Sequence, residues 1–361
     1  MERRNFLKGA AAGAAATPVL AAPAIAQNRV EMIIVSAWGR DFPGLGTSAQ
    51  RLAQRIGDLS QGEINVQYFA AGERVGAFDS FDEVASGNAQ AYTATDYYWK
   101  GKHPGWAPFA AVPFGLTYTE MDAWMKFGGG QELLDKIGAE FGIKGYPCGN
   151  TGVQMGGWFN TEIESPADLR GLKMRIPGLG GDVMAKVGAS PVSLPGGQIY
   201  ENLVSGAIDA TEWVGPWNDF FLKLYEAAQY YYWPGMHEPG SQVSLGMNKS
   251  WWEGLSRGHQ ALIHAAANEE NARQAAETNA NNGEYLRRLT EQYGVELREF
   301  NDDVYEAFGE AAAEVIEETR DHSPLAAEIV DSFQAARQDI GAWTQLSDSP
   351  YVAKRNRVLD L

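Results

Sequence analysis

The chain has 361 residues, with 46 acidic against 29 basic side chains and a formal net charge of −17. Such a charge repels nucleic acid and anionic membrane surfaces, so neither is an expected partner. The single Cys148 excludes an internal disulfide, and with no Cys-His pairing in view it reads as a small buried side chain.

The chain opens on Arg3-Arg4-Asn5-Phe6-Leu7-Lys8, followed by an Ala/Gly-rich stretch that ends at Ala24-Ile25-Ala26. Paired arginines, a weakly apolar region and an Ala-x-Ala end resemble a twin-arginine export signal over 1–26, cleaved before Gln27. Residues 9–26, with Pro18 and Pro23 inside, are too short and too weakly apolar to form a membrane span. Cleavage removes Arg3, Arg4, Lys8 and Glu2 and takes the charge from −17 to −19. No later apolar run is long enough to cross a bilayer, so the mature chain is expected to be soluble in the periplasm. Its length is too great for one simple core and predicts two lobes.

Residues 30–36 begin a strand-like run, and a Gly/Pro loop follows at 39–46. Leu52, Ile56 and Leu59 fall at helical spacing within 48–59, while Ile64, Val66 and Tyr68 alternate as a strand. Phe78 to Ala85 reads as helix and Ala89 to Thr95 as extended chain. Leu133 to Phe141 is then a predicted helix and Ile143 to Tyr146 a predicted strand. Short alternation of this kind is the pattern of parallel βαβ units and an α/β fold.

Ser165-Pro166 is a helix start, with Ser as N-cap and Pro in the first turn. Lys173 to Ile176 reads as a strand, Val183 to Val187 and Gln198 to Ser205 as helices, and Ala210 to Val214 as a strand. Val243, Leu245 and Met247 alternate again, in a strand expected to return to the first lobe. Residues 256–293 and 302–339 carry helical periodicity with few Gly or Pro, broken near Tyr293-Gly294 and at Ser323-Pro324. Their charges read as a solvated face. These helices are expected to brace the lobes, or to bury a homodimer face.

Arg175, at the end of the run Asp168-Leu169-Arg170-Gly171-Leu172-Lys173-Met174-Arg175, is the leading anion-binding candidate, with a surface or interlobe salt bridge as the alternative. A planar guanidinium holds a carboxylate through two parallel hydrogen bonds. The stretch Asn150-Thr151-Gly152-Val153-Gln154-Met155-Gly156-Gly157-Trp158 combines close backbone approach with neutral amide groups, and either lines a ligand or forms a tight crossover. The Gly-rich runs at 128–130 and 178–181 lack a following Lys-Ser/Thr, which excludes a phosphate loop.

Glu212 departs from a simple anion site, because a buried carboxylate repels an incoming organic anion. A cation between them removes the conflict, and Glu212, the Gln154 side-chain oxygen and a carbonyl such as that of Trp213 form an all-oxygen set. Such donors suit Na⁺ or Ca²⁺ and argue against zinc; an ordinary salt-bridged glutamate is the simpler alternative. Glu238 is a candidate hydrogen-bond acceptor for a keto or hydroxy acid, or an interlobe ion pair. The five histidines show no metal-ligand spacing. Aromatic clusters at Tyr97-Tyr98-Trp99, Trp158-Phe159, Trp213, Trp217 and Tyr230 to Trp233 read mostly as core, with a few that wall a ligand from water.

Together, Asn150 to Phe159, Asp168 to Arg175, Gly197 to Pro216 and Tyr230 to Gly240 resemble the solute receptors of tripartite ATP-independent periplasmic (TRAP) transporters. The resemblance is to the branch that captures α-keto acids and 2-hydroxy acids. It implies a two-lobed, type II-like periplasmic binding protein with hinge strands and long C-terminal helices spanning the lobes. Residues 27–152 plus 241–280 would form the first lobe, and 153–240 plus 281–361 the second with its bracing helices. It further implies that Arg175 binds the ligand carboxylate and that Gln154, Glu212 and the Trp213 carbonyl hold the bridging cation. Asn150, Glu238 and either Tyr97 or Tyr98 would add ligand contacts, and small and large integral-membrane subunits would be the partners. The competing readings are a secreted glycoside hydrolase using Glu212 and Glu238 and the receptor of an ATP-driven importer.

Overall fold

The computed structural model describes residues 29–360, so the expected export signal lies outside the described residues. The chain runs β1 (Val30–Ser36), α1 (Leu45–Leu59), β2 (Ile64–Phe69), α2 (Ser80–Ala85), β3 (Ala91–Ala94), α3 (Tyr118–Phe127), α4 (Gly130–Glu140) and β4 (Ile143–Asn150). It then crosses to β5 (Gly157–Phe159), β6 (Lys173–Arg175), α5 (Gly178–Lys186), β7 (Ser190–Val192), α6 (Ile199–Val204), β8 (Ala210–Thr211), α7 (Pro216–Phe221) and β9 (Tyr230–Trp233). The return is through β10 (Gln242–Asn248), α8 (Lys249–Glu253) and α9 (Arg257–Arg287), followed by β11 (Glu296–Glu299), α10 (Asp302–Asp321), α11 (Pro324–Leu346) and α12 (Asp348–Leu359).

The strands form two sheets, ordered β2-β1-β3-β10-β4 and β11-β9-β5-β8-β6-β7. In the first, β1 is parallel to β2 and β3, while β10 enters antiparallel to β3 and β4. The predicted return of the 243–247 strand to the first lobe is therefore met, and the reason is its apolar alternation: Val243, Leu245 and Met247 are all buried. Two segments cross between the sheets, from β4 to β5 and from β9 to β10. The 31-residue α9 makes a third crossing, packing on α1 and β4 at one end and on α7 at the other. The α10–α11 pair spans the same divide, α10 on α5 and α11 on α3 and α4. The architecture is a two-lobed α/β fold with long C-terminal helices. Among the described residues no helix is long and apolar enough to cross a membrane.

Local signals read from the sequence explain several boundaries. Ser165 caps only a short 3₁₀ turn, Pro166–Leu169, its main-chain N–H donating to Asp168 at 2.8 Å. At the C-terminal break, the Ser323 hydroxyl accepts from the Ala326 N–H at 3.0 Å and Pro324 starts α11. The strand expected over 210–214 stops at Thr211. Beyond it the Val214 and Gly215 N–H groups turn away from the ladder and donate to the Asp219 carboxylate, each at 3.0 Å. Glycine is required at the crossover: a Cβ on Gly156 would fall 2.4 Å from the Phe300 ring, and Gly157 holds φ 125° with Thr211 carbonyl oxygen 2.7 Å from its Cβ position.

Candidate functional site

The register of two parallel strands brings the principal charges together. Met174 pairs with Ala210 and Arg175 with Thr211, so Arg175 and Glu212 emerge at the same carboxyl end of β6 and β8. On the facing lobe, Trp38 follows β1 and Thr95 to Tyr98 follow β3, again at carboxyl ends of parallel strands. Open α/β sheets place ligands at such ends. Between them lies a cavity of about 20 Å³ whose wall includes Trp38, Tyr97, Tyr98, Gln154, Arg175 and Glu238, with Trp213 beside them.

Arg175 is buried and its donors are largely engaged. Nε donates to the Leu194 carbonyl at 3.1 Å, and Nη1 donates to the Glu212 carbonyl at 3.2 Å and to Glu212 Oε1. The free arm is Nη2, so the expected two-point fork presents one unpartnered nitrogen while Glu212 takes the other. The ring of Trp213 lies 5.1 Å from the guanidinium carbon and covers it from water. Glu212 thus meets a fixed cation directly, which answers part of its desolvation cost before any metal ion is considered.

His237 was the main residue that spacing did not single out. It is buried, with Nε2 3.3 Å from Glu212 Oε2, an ion-pair distance that lacks hydrogen-bond geometry. One ligand atom each from Glu212, His237 and Glu238 lie within 4.8 Å of one another. The absence of metal-ligand spacing among the histidines does not bear on this grouping, which is tertiary; only the adjacency His237-Glu238 hinted at it. Gln154 Nε2 donates to Glu238 Oε2 at 2.7 Å and to Thr151 Oγ1 at 3.0 Å, which turns its oxygen free. Asn150 Oδ1 accepts from the Gly152 N–H at 2.8 Å, so that oxygen shapes the crossover.

Seven buried polar atoms here have no hydrogen-bond partner in the protein: Trp38 Nε1, Gln154 Oε1, Arg175 Nη2, Glu212 Oε2, Trp213 Nε1, His237 Nε2 and Glu238 Oε1. Each such group costs ~1–3 kcal/mol, and native cores hold few of them, so their concentration at one cavity marks a ligand site rather than a core defect. The oxygens of Gln154 and Glu212 fit a hard cation of the Na⁺ or Ca²⁺ type.

Burial, reinforced by the charge of Glu212, raises the Glu238 carboxyl to about 7. Burial opposes a charge on His237, but its close pairing with the Glu212 carboxylate and the charge of Glu238 outweigh it, and its pKa is raised. Burial pushes Tyr98 up to about 12, keeping it a neutral donor. Asp219, not anticipated as relevant, supports the site from behind. It accepts from Trp158 Nε1 at 2.9 Å and the Tyr231 hydroxyl at 2.7 Å besides Val214 and Gly215, which fixes the chain next to Trp213.

With this geometry the chain can be set beside known proteins. Residues 36–322 match the family described as bacterial extracellular solute-binding protein, family 7, and residues 1–17 match the twin-arginine translocation signal sequence. A monocarboxylate 2-oxoacid-binding periplasmic protein of Nostoc sp. is 36% identical over 358 residues, covering 97% of this chain and 98% of that protein. A TRAP periplasmic solute-binding protein of Colwellia psychrerythraea, solved with calcium and pyruvate, is 37% identical with TM-score 0.88, over 90% of this chain and 99% of that one. One from Pseudoalteromonas atlantica, solved with sodium and pyruvate, is 35% identical with TM-score 0.87 over the same shares.

A two-lobed binding fold closing on an anion-type cavity defines an extracytoplasmic solute receptor. The chain belongs to the family-7 solute-binding proteins, the receptors of TRAP transporters. It is exported to the periplasm by the twin-arginine route and is not an enzyme. The glycosidase and ATP-driven alternatives therefore fall.

Proposed function

We propose that this receptor captures a small 2-oxo monocarboxylate of the pyruvate or 2-oxobutyrate type, or the corresponding 2-hydroxy acid. Arg175 Nη2 would take the carboxylate, and Na⁺ or Ca²⁺ held by Glu212, the Gln154 oxygen and the Trp213 carbonyl would bridge to the ligand. Glu238, Tyr97 and Tyr98 would close around the acid, with Asn150 acting through the crossover. The observation that carries this reading is the cluster of unpartnered atoms: an unengaged guanidinium nitrogen beside three unengaged oxygens, of Gln154, Glu212 and Glu238, at a cavity of about 20 Å³. It is supported by relatives whose structures hold pyruvate with calcium or with sodium.

Residues up to 152 with 241–280 would move against 153–240 with 281–361, hinged at the two crossing segments, and small and large membrane subunits would receive the closed form. The exposed Trp343, Leu346 and Tyr351 on the last helices offer a homodimer face, which light scattering of the mature protein checks. The ligand is tested by titration calorimetry with pyruvate and lactate on protein stripped of divalent ions in potassium buffer, then with Na⁺ or Ca²⁺ restored. A cation should tighten binding at least about ten-fold, the scale of a single lost charge contact. Equal affinity under every ionic condition would remove the cation, and no binding of any 2-oxo or 2-hydroxy acid would remove the ligand class.

A further inference from the structure

The ligand cavity has a larger neighbour across one wall. A second cavity, of about 380 Å³, opens between the loop after β1 and the segments around Pro195 and Leu222, with Phe42 on its side. Trp38 and Trp213 line both cavities. They come from opposite lobes and are 4% and 7% exposed. On the inner side stand Arg175, Gln154 and Glu238; on the outer side the lining is mainly apolar, with Phe42, Ala77, Pro195 and Leu222.

The wall is held in place. The Trp213 ring lies against the Arg175 guanidinium, meets Phe42 edge-on at 6.1 Å between centroids, and is so close to Gly196 that a Cβ there would fall 2.4 Å from it. Trp38 is anchored through its main chain, its N–H donating to Ser36 Oγ at 3.2 Å and its carbonyl accepting from the Ala71 N–H at 2.9 Å. A ring packed on three sides does not swing aside without disturbing the charge pair behind it.

We propose that Trp38 and Trp213 determine ligand length. The indole pair ends the inner chamber at the size of a three- or four-carbon acid. The outer cavity becomes the binding place for the alkyl tail of a longer 2-oxo acid once the wall is shortened. Because the outer lining is apolar, the ligand class it takes is an unbranched aliphatic chain. The inference rests on the reading of the inner chamber as a 2-oxo acid site.

The test compares pyruvate with 2-oxooctanoate by titration calorimetry on the full mature receptor, in one cation-containing buffer. Wild type, Trp38→Ala, Trp213→Leu and, as a control lining only the outer cavity, Leu222→Ala are measured. The wild type should favour pyruvate by about 100-fold or more, and each wall variant should narrow that ratio by about ten-fold or more, the discrimination typical of apolar pockets. Leu222→Ala should keep the wild-type ratio. A wild type that takes both acids equally, wall variants with an unmoved ratio, or wall variants that lose both acids together would overturn the inference. If neither variant folds, the wild-type ratio alone decides. A wild type that binds neither acid overturns the 2-oxo acid reading instead, so the two failures are separable.

Discussion

The two lobes face the same cavity with different chemistry. The second lobe brings charge: Arg175 and Glu212 pair with each other, the Leu194 carbonyl holds the Arg175 Nε, and Asp219 holds the backbone beside Trp213. The first lobe brings cover: Trp38, Leu45, Thr95, Tyr97 and Tyr98 line the cavity without a formal charge. Its nearest acid, Asp96, is turned into the core, where it accepts from the Tyr92 hydroxyl at 3.1 Å and the Ser244 hydroxyl at 2.6 Å. The difference assigns separate tasks. In the proposed reading, affinity for an anion would reside in the charged half, and the uncharged half would exclude water as the lobes close. A ligand that touches both favours the closed population by its differential contacts alone.

The largest effect expected from breaking this asymmetry is at the charged half. Arg175→Ala should lose ~2–5 kcal/mol of ligand binding, because it leaves Glu212 buried beside His237 without its guanidinium. Titration calorimetry reads this directly, and near-wild-type affinity would mean that the charge lies elsewhere.

Next is the support behind it. Asp219→Asn keeps an oxygen for the Val214 and Gly215 amides but turns an NH₂ toward the Trp158 Nε1–H, which can only donate, at a cost of ~1–3 kcal/mol. Chemical denaturation should show that loss, and it should be larger than for Asp96→Asn, which meets two hydroxyls able to reorient. Equal losses would remove the distinction between the lobes at this level.

The same two acids, together with Glu238, set a pH dependence. Burial raises Asp96 to about 7 and Asp219 to about 6, each above its unfolded value of 3.8. The native state therefore binds more protons than the unfolded state in the interval between those values, and stability falls as pH rises through it. Thermal melts of the unliganded receptor should drop from pH 4 to pH 7.5. Asp96→Asn should flatten the upper part of the slope and Asp219→Asn the lower part. A midpoint that rises over this range would contradict both assignments.

The smallest effect belongs to the surface contact between lobes. Lys100 Nζ lies 2.5 Å from Asp182, with both side chains partly exposed. Lys100→Ala should cost ~0–1 kcal/mol in stability, vanishing at high salt. A larger change in ligand affinity would show that this pair biases closure.

Much of the fold was legible because its signals are local. The alternation of Ile64, Val66 and Tyr68 gave β2, the spacing of Leu52 and Ile56 gave α1, and Ser323-Pro324 marked the last long break. Very short strands escaped: β5, β7 and β9 are three or four residues each, so periodicity has too few positions to register, and pairing with neighbours creates them. At the site, Arg175, Gln154, Glu212, Trp213, Glu238 and both tyrosines do converge. Asn150 stands apart from them in that its Oδ1 is engaged by the Gly152 N–H of its own turn.

By itself, then, the amino-acid order determined the export signal, the acidic surface, the α/β alternation and the residue types able to hold an organic acid. Those properties depend on neighbours within a few positions or on composition. Only the tertiary structure decided that Glu212 pairs first with Arg175, that His237 stands behind it, and that Trp38 and Trp213 divide one cleft into two chambers. Each of those contacts joins segments far apart in the chain, and long-range packing, not local propensity, fixes where their side chains meet.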